Sequence, residues 1–414
     1  MKIYIFYYIL ITSLLFGQQA REKIYLSLDK AVETALAKNF EVLRAQNNVE
    51  ALKGKFWNSI SLPSPWISLS HDFVPIGKGL SDYQERTWEI NQAIEFPTNI
   101  FLKGSRSNYE ISASRDDLDK TMIETTSNVK KLYTEVLIRT KKLALFQDNL
   151  KIAKDFLEKA DLKFKSGEGT KLEAITAKIQ FNEASASLKS AQNDLKFSKN
   201  ALLTQLNSIQ ISDSLIVLTD SLAITRINLK YEDLLQEAVA NNSSLKRTDK
   251  QIEIASINKT LAWSSLLPNF NFSYYRQAEP DNPNLYGVSF GISLPIWFLF
   301  DQRGQIQEAS ANYNIALEEN HSLKNSIPLE LNNAYTGFIY EQEQLDTYRN
   351  ELLPEAESVF GLAKLSYDSG EINYVEFLQA KQNLISIRNN YFNSLSNYFT
   401  VLSSLEKIIG RIIR

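Results

Sequence analysis

The pattern of apolar and polar residues along the chain repeats itself after 203 residues. The segment 164–178 contains Phe-Lys-Ser-Gly-Glu, and the segment 367–381 contains Tyr-Asp-Ser-Gly-Glu at the same positions. The further pairs at this offset, or within five residues of it, are Ala35 and Ala238, Asn39 and Asn242, Tyr133 and Tyr335, Pro63 and Pro268, and Pro97 and Pro295. Self-similarity at one period indicates a structural repeat, so we predict a duplicated unit of roughly 200 residues.

Each copy is predicted to contain a helix, a β-hairpin, a long helix and a shorter return helix, in that order. The ranges are 28–62, about 65–96, 98–165 and 171–207 in the first copy, and 231–267, about 269–295, 301–366 and 374–409 in the second. Each long helix would extend on the order of 100 Å. Pro328 and Pro354 fall inside the second one, where a proline removes a backbone hydrogen bond, so we expect a kink or a break at each.

The return helices carry apolar residues at spacings of three and four, from Phe181 to Leu202 and from Leu384 to Ile408. This heptad pattern predicts coiled-coil packing. A return helix of about 37 residues stacked end to end on a strand-leading helix of about 35 residues would match the length of one long helix. We therefore expect these elements to lie side by side.

The hairpin segments alternate between large apolar residues and small or polar ones. In the second copy Phe290 and Ile292 alternate with Ser289, Gly291 and Ser293, a pattern typical of a membrane β-barrel with lipid outside and water inside. The predicted external loop is Gln277–Leu285, and in the first copy the glycine-bearing loop Val74–Glu85 joins the two strands. Trp66, Trp88 and Trp297 suit an aromatic belt, with ordinary core aromatics as the alternative. Because four strands cannot close a barrel, the chain must oligomerise; three copies would leave an open lumen, whereas two would fill it.

The N-terminus predicts export. Met1 and Lys2 precede an apolar run over 3–16, which is typical of a signal peptide within 1–20. The mature chain then divides into a first repeat over 21–207, a linking segment over 208–230 and a second repeat over 231–414. The linker alternates over 211–219 and is expected to form a short strand and a helix around the waist of the molecule.

Composition argues against several classes of function. Lys and Arg number 45 against 48 Asp and Glu, with no basic cluster, so nucleic-acid binding is not expected. The chain has no cysteine and two histidines, His71 and His321, far apart in sequence, which supplies neither a metal cluster nor a thiol nucleophile. We therefore expect no enzyme activity, no metal site and no cofactor.

The duplicated plan and the Phe96-Pro97 and Leu294-Pro295 junctions resemble those of TolC-like outer-membrane efflux proteins. The resemblance covers nearly the whole mature chain. It implies a mainly α-helical fold with a membrane β-barrel: a homotrimer with a twelve-stranded barrel in outer-membrane lipid and a long α-helical barrel in the periplasm. It also implies two partners, a periplasmic adaptor (membrane fusion protein) and an inner-membrane transporter.

The resemblance places functional residues at the periplasmic end. Two turns match the tips that contact the adaptor: Ser166, Gly167 and Glu168, and Ser369, Gly370 and Glu371. Glu376 matches an acidic position of the periplasmic gate and Glu173 is its counterpart, but Gln379 stands where the family often has a second acidic residue. The alternatives are that the glycines only end helices and that the glutamates are ordinary surface residues.

The function implied is the exit duct of a tripartite efflux or type I secretion system. The competing hypothesis is a periplasmic coiled-coil scaffold or surface adhesin without a pore. A scaffold has no need of strands with one apolar and one small-residue face, so the four strands favour the duct. The cargo could be a drug, a metal ion or a protein, and the scarcity of His, Met and Cys argues weakly against metal capture by this component.

Overall fold

A computed structural model describes residues 24–208, 216–222, 226–279, 281–296 and 298–413. The expected signal peptide, residues 211–215 of the linker and Trp297 of the aromatic belt lie outside the described residues. The first half contains β1 (Ile24–Leu26), α1 (Leu28–Lys38), α2 (Phe40–Ile60), β2 (Trp66–Asp72), β3 (Glu85–Ile94), α3 (Pro97–Ser166) and α4 (Lys171–Gln205). The linker and second half contain β4 (Ile216–Leu218), α5 (Tyr231–Asn241), α6 (Ser243–Ser264), β5 (Asn269–Glu279), β6 (Asn282–Ser293), α7 (Asp301–Thr347), α8 (Leu353–Asp368) and α9 (Tyr374–Ile409).

The longest element is α3, a single helix of 70 residues. At 1.5 Å per residue it is about 105 Å long. Pro97 occupies its first turn, where the missing N–H costs nothing. In the second copy the helix runs through Pro328 without interruption, but a π-helical turn at Tyr348–Leu352 separates α7 from α8 just before Pro354. The break expected from proline is therefore found at one of the two positions.

The prediction of one continuous helix over 28–62, and of another over 231–267, is wrong. Each segment is divided at an asparagine, Asn39 or Asn242, which ends one helix and caps the next. Each side-chain oxygen accepts a backbone N–H from the new helix, at 2.9 Å and 3.0 Å. Each side-chain nitrogen donates to the end of a return helix, Asn39 to the Gln205 carbonyl at 3.0 Å and Asn242 to the Ile408 carbonyl at 2.9 Å.

These asparagines join two helices end to end against one long helix. The end of α4 meets the start of α2, and both pack along α3; α9 and α6 pack along α7 in the same way. The expected end-to-end arrangement is thus present, but it uses α2 and α6 rather than the whole of 28–62 and 231–267. Within the ranges that the structure describes, no helix is both long enough and apolar enough to cross a bilayer.

The hairpins of the two copies form one antiparallel sheet in the order β2-β3-β5-β6. The two hairpins join through β3 and β5, which pair Trp88 with Arg276 and Gln92 with Phe272. The expected external loop over Gln277–Leu285 is wrong, because β5 continues to Glu279 and β6 begins at Asn282. A register shift between Gln277 and Glu279 accompanies this extension.

The strands β1 and β4 form a short parallel pair beside the middle of α3, the region called the waist above, and the pair aligns Leu26 with Leu218. The linker therefore contributes the expected strand, while the described part of 208–230 contains no helix. Tyr133 donates its hydroxyl to the Leu26 carbonyl at 2.8 Å, and Tyr335 donates to the Leu229 carbonyl at 3.1 Å. The duplication thus extends to individual hydrogen bonds.

Two large buried apolar clusters in the described part of the chain hold the helices together. One gathers around Phe338, Tyr398 and Leu405, where α3, α5, α7 and α9 meet, and the other around Val129 and Tyr133. Both clusters lie along the helices near the waist. A third, smaller cluster around Phe156 and Phe377 lies beside the second tip, and the four-stranded sheet contributes to none of the three.

Candidate functional site

The two tip turns have the same backbone geometry. Gly167 and Gly370 both have φ of +81°, which L-residues with a side chain rarely adopt. The Glu168 N–H donates to the Lys163 carbonyl at 2.9 Å, and the Glu371 N–H donates to the Ser366 carbonyl at 2.8 Å. These six-to-one hydrogen bonds, with the glycine in the left-handed conformation, form a Schellman motif. The glycines therefore do end helices, as the simpler interpretation of the sequence expects.

The tips are also open to solvent. A Cβ atom built on either Gly167 or Gly370 would meet no heavy atom within 4 Å. The flanking residues Ser166, Glu168, Ser369 and Glu371 are exposed. A side chain placed at either glycine would project outward, so the space there is available to another molecule.

The two glutamates expected at the gate have a structural role that the sequence analysis missed. The Glu376 carboxylate accepts the Asn373 N–H at 3.2 Å, while Asn373 Oδ1 accepts the Glu376 N–H at 3.0 Å. Glu173 and Thr170 make the same reciprocal pair at 3.0 Å and 3.2 Å. These are capping boxes at the starts of α9 and α4. The motifs Thr-x-x-Glu and Asn-x-x-Glu were the signals that could have found them. Gln379 lies exposed one turn further along α9.

The second tip rests on an aromatic cluster that the sequence analysis also missed. Phe156 of α3 lies 4.6 Å from Phe377, 5.3 Å from Tyr374 and 5.4 Å from Tyr367, measured between ring centres. Burial raises the pKa of Tyr374. In the first copy the positions equivalent to Tyr374 and Phe377 are a lysine and an alanine. The second tip is therefore anchored to the first copy's long helix by aromatic contacts that a lysine and an alanine cannot make at the first tip.

The four-stranded sheet has two chemically distinct faces. Its apolar face carries Val288, Phe290 and Ile292, which remain 59%, 66% and 56% exposed. Its polar face carries Asn91 and Ser273, joined by a hydrogen bond of 2.7 Å, together with the glycines and serines of β6. An apolar face of this size left uncovered in a sheet fits contact with lipid.

Close packing explains one glycine of the polar face. A Cβ atom on Gly287 would lie 2.2 Å from the ring of Tyr275, its partner on β5. Glycine therefore allows the tyrosine ring to lie flat over β6. The carboxylates of the first hairpin, Asp72, Glu85 and Glu89, are on this same face, since Asp72 is in register with Glu85 and Glu89 is an even number of residues further along β3. The polar face is accordingly acidic.

Pro97 and Pro295 were expected at equivalent junctions between strands and helices. Pro97 is the first residue of α3 and follows the end of β3 by three residues, with Phe96 as the helix cap. Pro295 instead follows β6 by two residues and precedes α7 by six. The two prolines lie at the same boundary, but only Pro97 belongs to the helix.

The chain combines long paired helices with a β-sheet that has one apolar face suited to contact with lipid. This combination defines the class of outer-membrane channels that have a helical tunnel in the periplasm. Residues 79–208 and 234–411 match the model of the family described as "Outer membrane efflux protein", and the chain belongs to this family. The chain is therefore an outer-membrane component of efflux, the exit channel of a tripartite system. This confirms the TolC-like resemblance, the fold class and the location, and it favours the duct over the scaffold or adhesin. The family consists of channel proteins and not of enzymes.

Similar proteins support this assignment. The cobalt-zinc-cadmium resistance protein CzcC of Cupriavidus metallidurans is 21% identical over 398 residues, covering 93% of this chain and 90% of the relative. A membrane protein of Pseudomonas aeruginosa has a similar fold with a TM-score of 0.80 at 14% identity, covering 93% and 90% of the two chains. The outer-membrane protein VceC of Vibrio cholerae has a TM-score of 0.75 at 16% identity, covering 94% and 97%.

One lysine in the helical region is buried without a partner. Lys381 of α9 is 5% exposed and lies against α3 near Leu145 and Asn149. Within the described residues its ammonium group makes no hydrogen bond or ion pair, and burial lowers its pKa to about 8. The charged form is therefore disfavoured in the folded protein.

Replacing Lys381 with methionine is expected to stabilise the protein at pH 7 by on the order of 1 kcal/mol, since a similar volume stays filled and the buried charge is removed. The unfolded lysine keeps a proton above pH 8 while the folded one loses it, so the wild type gains stability as the pH rises past about 8. The melting temperatures of the wild type and the Lys381→Met variant should therefore differ below pH 8 and become more similar above it. The control is Lys178→Met at the exposed equivalent position; an equal effect of the two variants would contradict the burial argument.

Proposed function

We propose that three copies of this chain form a passive exit duct whose barrel is closed by pairing β2 of one subunit with β6 of the next. The observation that carries the proposal is the sheet itself. In the described part of the chain, β2 and β6 each have one strand neighbour, and the apolar face is uncovered. Unpaired strand edges are not tolerated in lipid. Three sheets would supply twelve strands and leave a water-filled lumen lined by the polar face.

The duct has no chemistry of its own and takes its cargo from an inner-membrane transporter through a periplasmic adaptor. The support is at the opposite end from the sheet, where two exposed Schellman turns of identical geometry end the long helices. Their repetition in both copies gives each subunit two equivalent contact points. The residues proposed to contact the adaptor are Ser166, Gly167, Glu168, Ser369, Gly370 and Glu371.

The periplasmic gate is proposed at the starts of the return helices, with Glu376 as its acidic ring and with Glu173 and Gln379 nearby. Glu376→Gln tests this directly, because glutamine also serves at the third position of a capping box and only the charge is lost. In single-channel recordings we expect block by divalent cations to weaken about fivefold, which corresponds to roughly 1 kcal/mol for one charge interaction in water. Glu50→Gln, remote on α2, is the charge-matched control. A channel that behaves like the wild type would remove Glu376 from the gate.

Divalent metal cations are the proposed cargo. CzcC, a metal resistance protein by name, matches this chain over nearly its whole length. Asp72, Glu85 and Glu89 on the polar face would place carboxylates along the lumen, which favours cations. The residues need not capture the metal, because a passive duct only has to admit it. A deletion strain should become sensitive to zinc, cobalt or cadmium, and unchanged tolerance to all three would contradict this part of the proposal.

The mass of the full-length protein in detergent, with the detergent contribution subtracted, tests the assembly. A trimer extracted from the outer-membrane fraction is the expected result. A water-soluble monomer or dimer would overturn the barrel and would restore the scaffold hypothesis.

A further inference from the structure

Two arginines stand on the apolar face of the sheet at the end remote from the helices. Arg86 of β3 and Arg276 of β5 are both exposed. The register aligns Trp88 with Arg276 and Arg86 with Ala278, so the two arginines are diagonal neighbours on adjacent strands. Such neighbours are about 7 to 8 Å apart, within reach of long side chains. Both line one depression of about 460 Å³, together with Trp88, Ile90, Tyr274 and Asn284.

Within the described residues, neither arginine is paired with a carboxylate. Arg276 donates from Nη2 to Asn284 Oδ1 at 3.1 Å, and the Arg86 guanidinium lies 5.4 Å from the ring centre of Tyr83. Both contacts are to uncharged groups, and among the described residues neither arginine is in an ion pair. These contacts hold the guanidinium groups in place and leave most of their N–H donors available for an anion.

The charges of the sheet are separated between its two faces. The carboxylates Asp72, Glu85 and Glu89 are on the polar face, whereas Arg86 and Arg276 are on the apolar one. This separation would suit a barrel with cations passing through the lumen and anions bound on the outer face.

The position of the two arginines along the strands indicates their depth in the membrane. From Phe270 to Arg276 is about 20 Å along β5, and the side chains between them on this face are aromatic, Phe272 and Tyr274. The apolar band of a membrane barrel is about 25 Å tall and is bordered by aromatic residues. Arg276 is level with Trp88 and Tyr286 of this aromatic border, and Arg86 lies two residues beyond Trp88 on β3, which places both arginines at the level of the headgroups of the outer leaflet.

We propose that Arg86 and Arg276 bind a phosphate group of the phosphorylated glycolipid of the outer leaflet, of the lipid A class. Guanidinium groups bind phosphate oxygens through paired hydrogen bonds, and two of them converge on this depression. Ile90, Trp88 and Tyr274 beneath them provide an apolar surface for an acyl chain. The site faces lipid, so a free phosphate in the lumen would not reach it. The inference rests on the orientation of the sheet in the barrel and does not depend on the cargo or the adaptor.

The test is native mass spectrometry of the full-length protein in detergent with two probes, bisphosphorylated lipid A and the same lipid without its phosphates. We expect the phosphorylated lipid to be retained and the dephosphorylated lipid to be lost. Each of Arg86→Gln and Arg276→Gln should weaken retention by about tenfold, the usual effect of losing a hydrogen bond to a charged group. Arg276→Lys, which keeps the charge and loses the paired geometry, should fall between them and the wild type.

A control pair, Arg44→Gln and Arg247→Gln, removes arginines from the helices and should leave retention unchanged. The proposal is overturned if the dephosphorylated lipid is retained equally, or if both β-strand variants behave like the wild type. Binding of inorganic phosphate as tight as that of the lipid would also overturn it, because the glycolipid would then not be selected. The oligomer mass recorded in the same spectra separates these outcomes from a failure of barrel assembly.

Discussion

Replacing Glu406 with alanine is expected to lower the free energy of unfolding by about 3 to 5 kcal/mol, the usual cost of removing one partner from a buried ion pair. Glu406 is 1% exposed on α9. Its carboxylate accepts the Ser127 hydroxyl at 2.8 Å, the Ile413 N–H at 3.0 Å and a hydrogen bond from the Lys130 ammonium. Its removal would leave that ammonium, only partly exposed, without its carboxylate. Denaturant unfolding followed by helical circular dichroism measures the loss.

The control for this substitution is Glu41→Ala. Glu41 pairs with Arg44 at 2.6 Å, but their side chains are 60% and 79% exposed. Exposed pairs of this kind contribute about 1 kcal/mol or less. If Glu406→Ala cost no more than Glu41→Ala, the Glu406 network could not be what holds the C-terminal segment to α3.

Replacing Gly370 with valine is expected to abolish export while the helices and the assembled complex persist. Valine at a φ of +81° is strained, by roughly 1 to 2 kcal/mol for an L-residue in the left-handed region. A Cβ atom at this position meets no heavy atom within 4 Å in its own subunit, so we expect the strain to be confined to the turn. What changes is the outer shape of the tip, where the adaptor is proposed to bind. Cargo efflux from cells, together with the oligomer mass, measures both parts of the prediction.

Gly370→Asn is the matched control, because asparagine adopts the left-handed conformation more readily than other residues with a side chain. It should keep more export than the valine variant. Gly167→Val changes the first tip in the same way and shows whether both turns are needed. Full export by Gly370→Val would remove this turn from the contact with the adaptor.

The repeat at 203 residues predicted more than the order of the elements. Asn39 and Asn242, noted in the sequence only as a matching pair, make equivalent hydrogen bonds to the ends of the two return helices. The tyrosines at 133 and 335 likewise bond to equivalent carbonyls. Residues that match at a spacing of 202 or 203 therefore make matching contacts, because each copy packs its own helices in the same way.

The wrong predictions concern the ends of helices and strands, where the local signal for an end is weaker than the periodic pattern on either side. Helical periodicity runs on either side of Asn39 and Asn242, so only the cap geometry shows that the helix ends there. The polar residues between Gln277 and Leu285 suggested a loop, but strand pairing carries β5 to Glu279 and starts β6 at Asn282. Pairing with a neighbour satisfies backbone groups whatever the polarity of the side chains, and it therefore extended both strands.

The sequence by itself determined the tip glycines and the two-faced strands, because each depends on residues close together in the chain. It also determined the duplicated plan, because these local patterns recur at a spacing of about 203 residues. Only the tertiary structure showed that Phe156 anchors one tip and not the other, and that Lys381 is buried with no hydrogen-bond or ion-pair partner among the described residues. It also brought Arg86 and Arg276 together on one face, from segments about 190 residues apart. Contacts of this kind arise from packing between distant segments, and no periodicity along the chain encodes them.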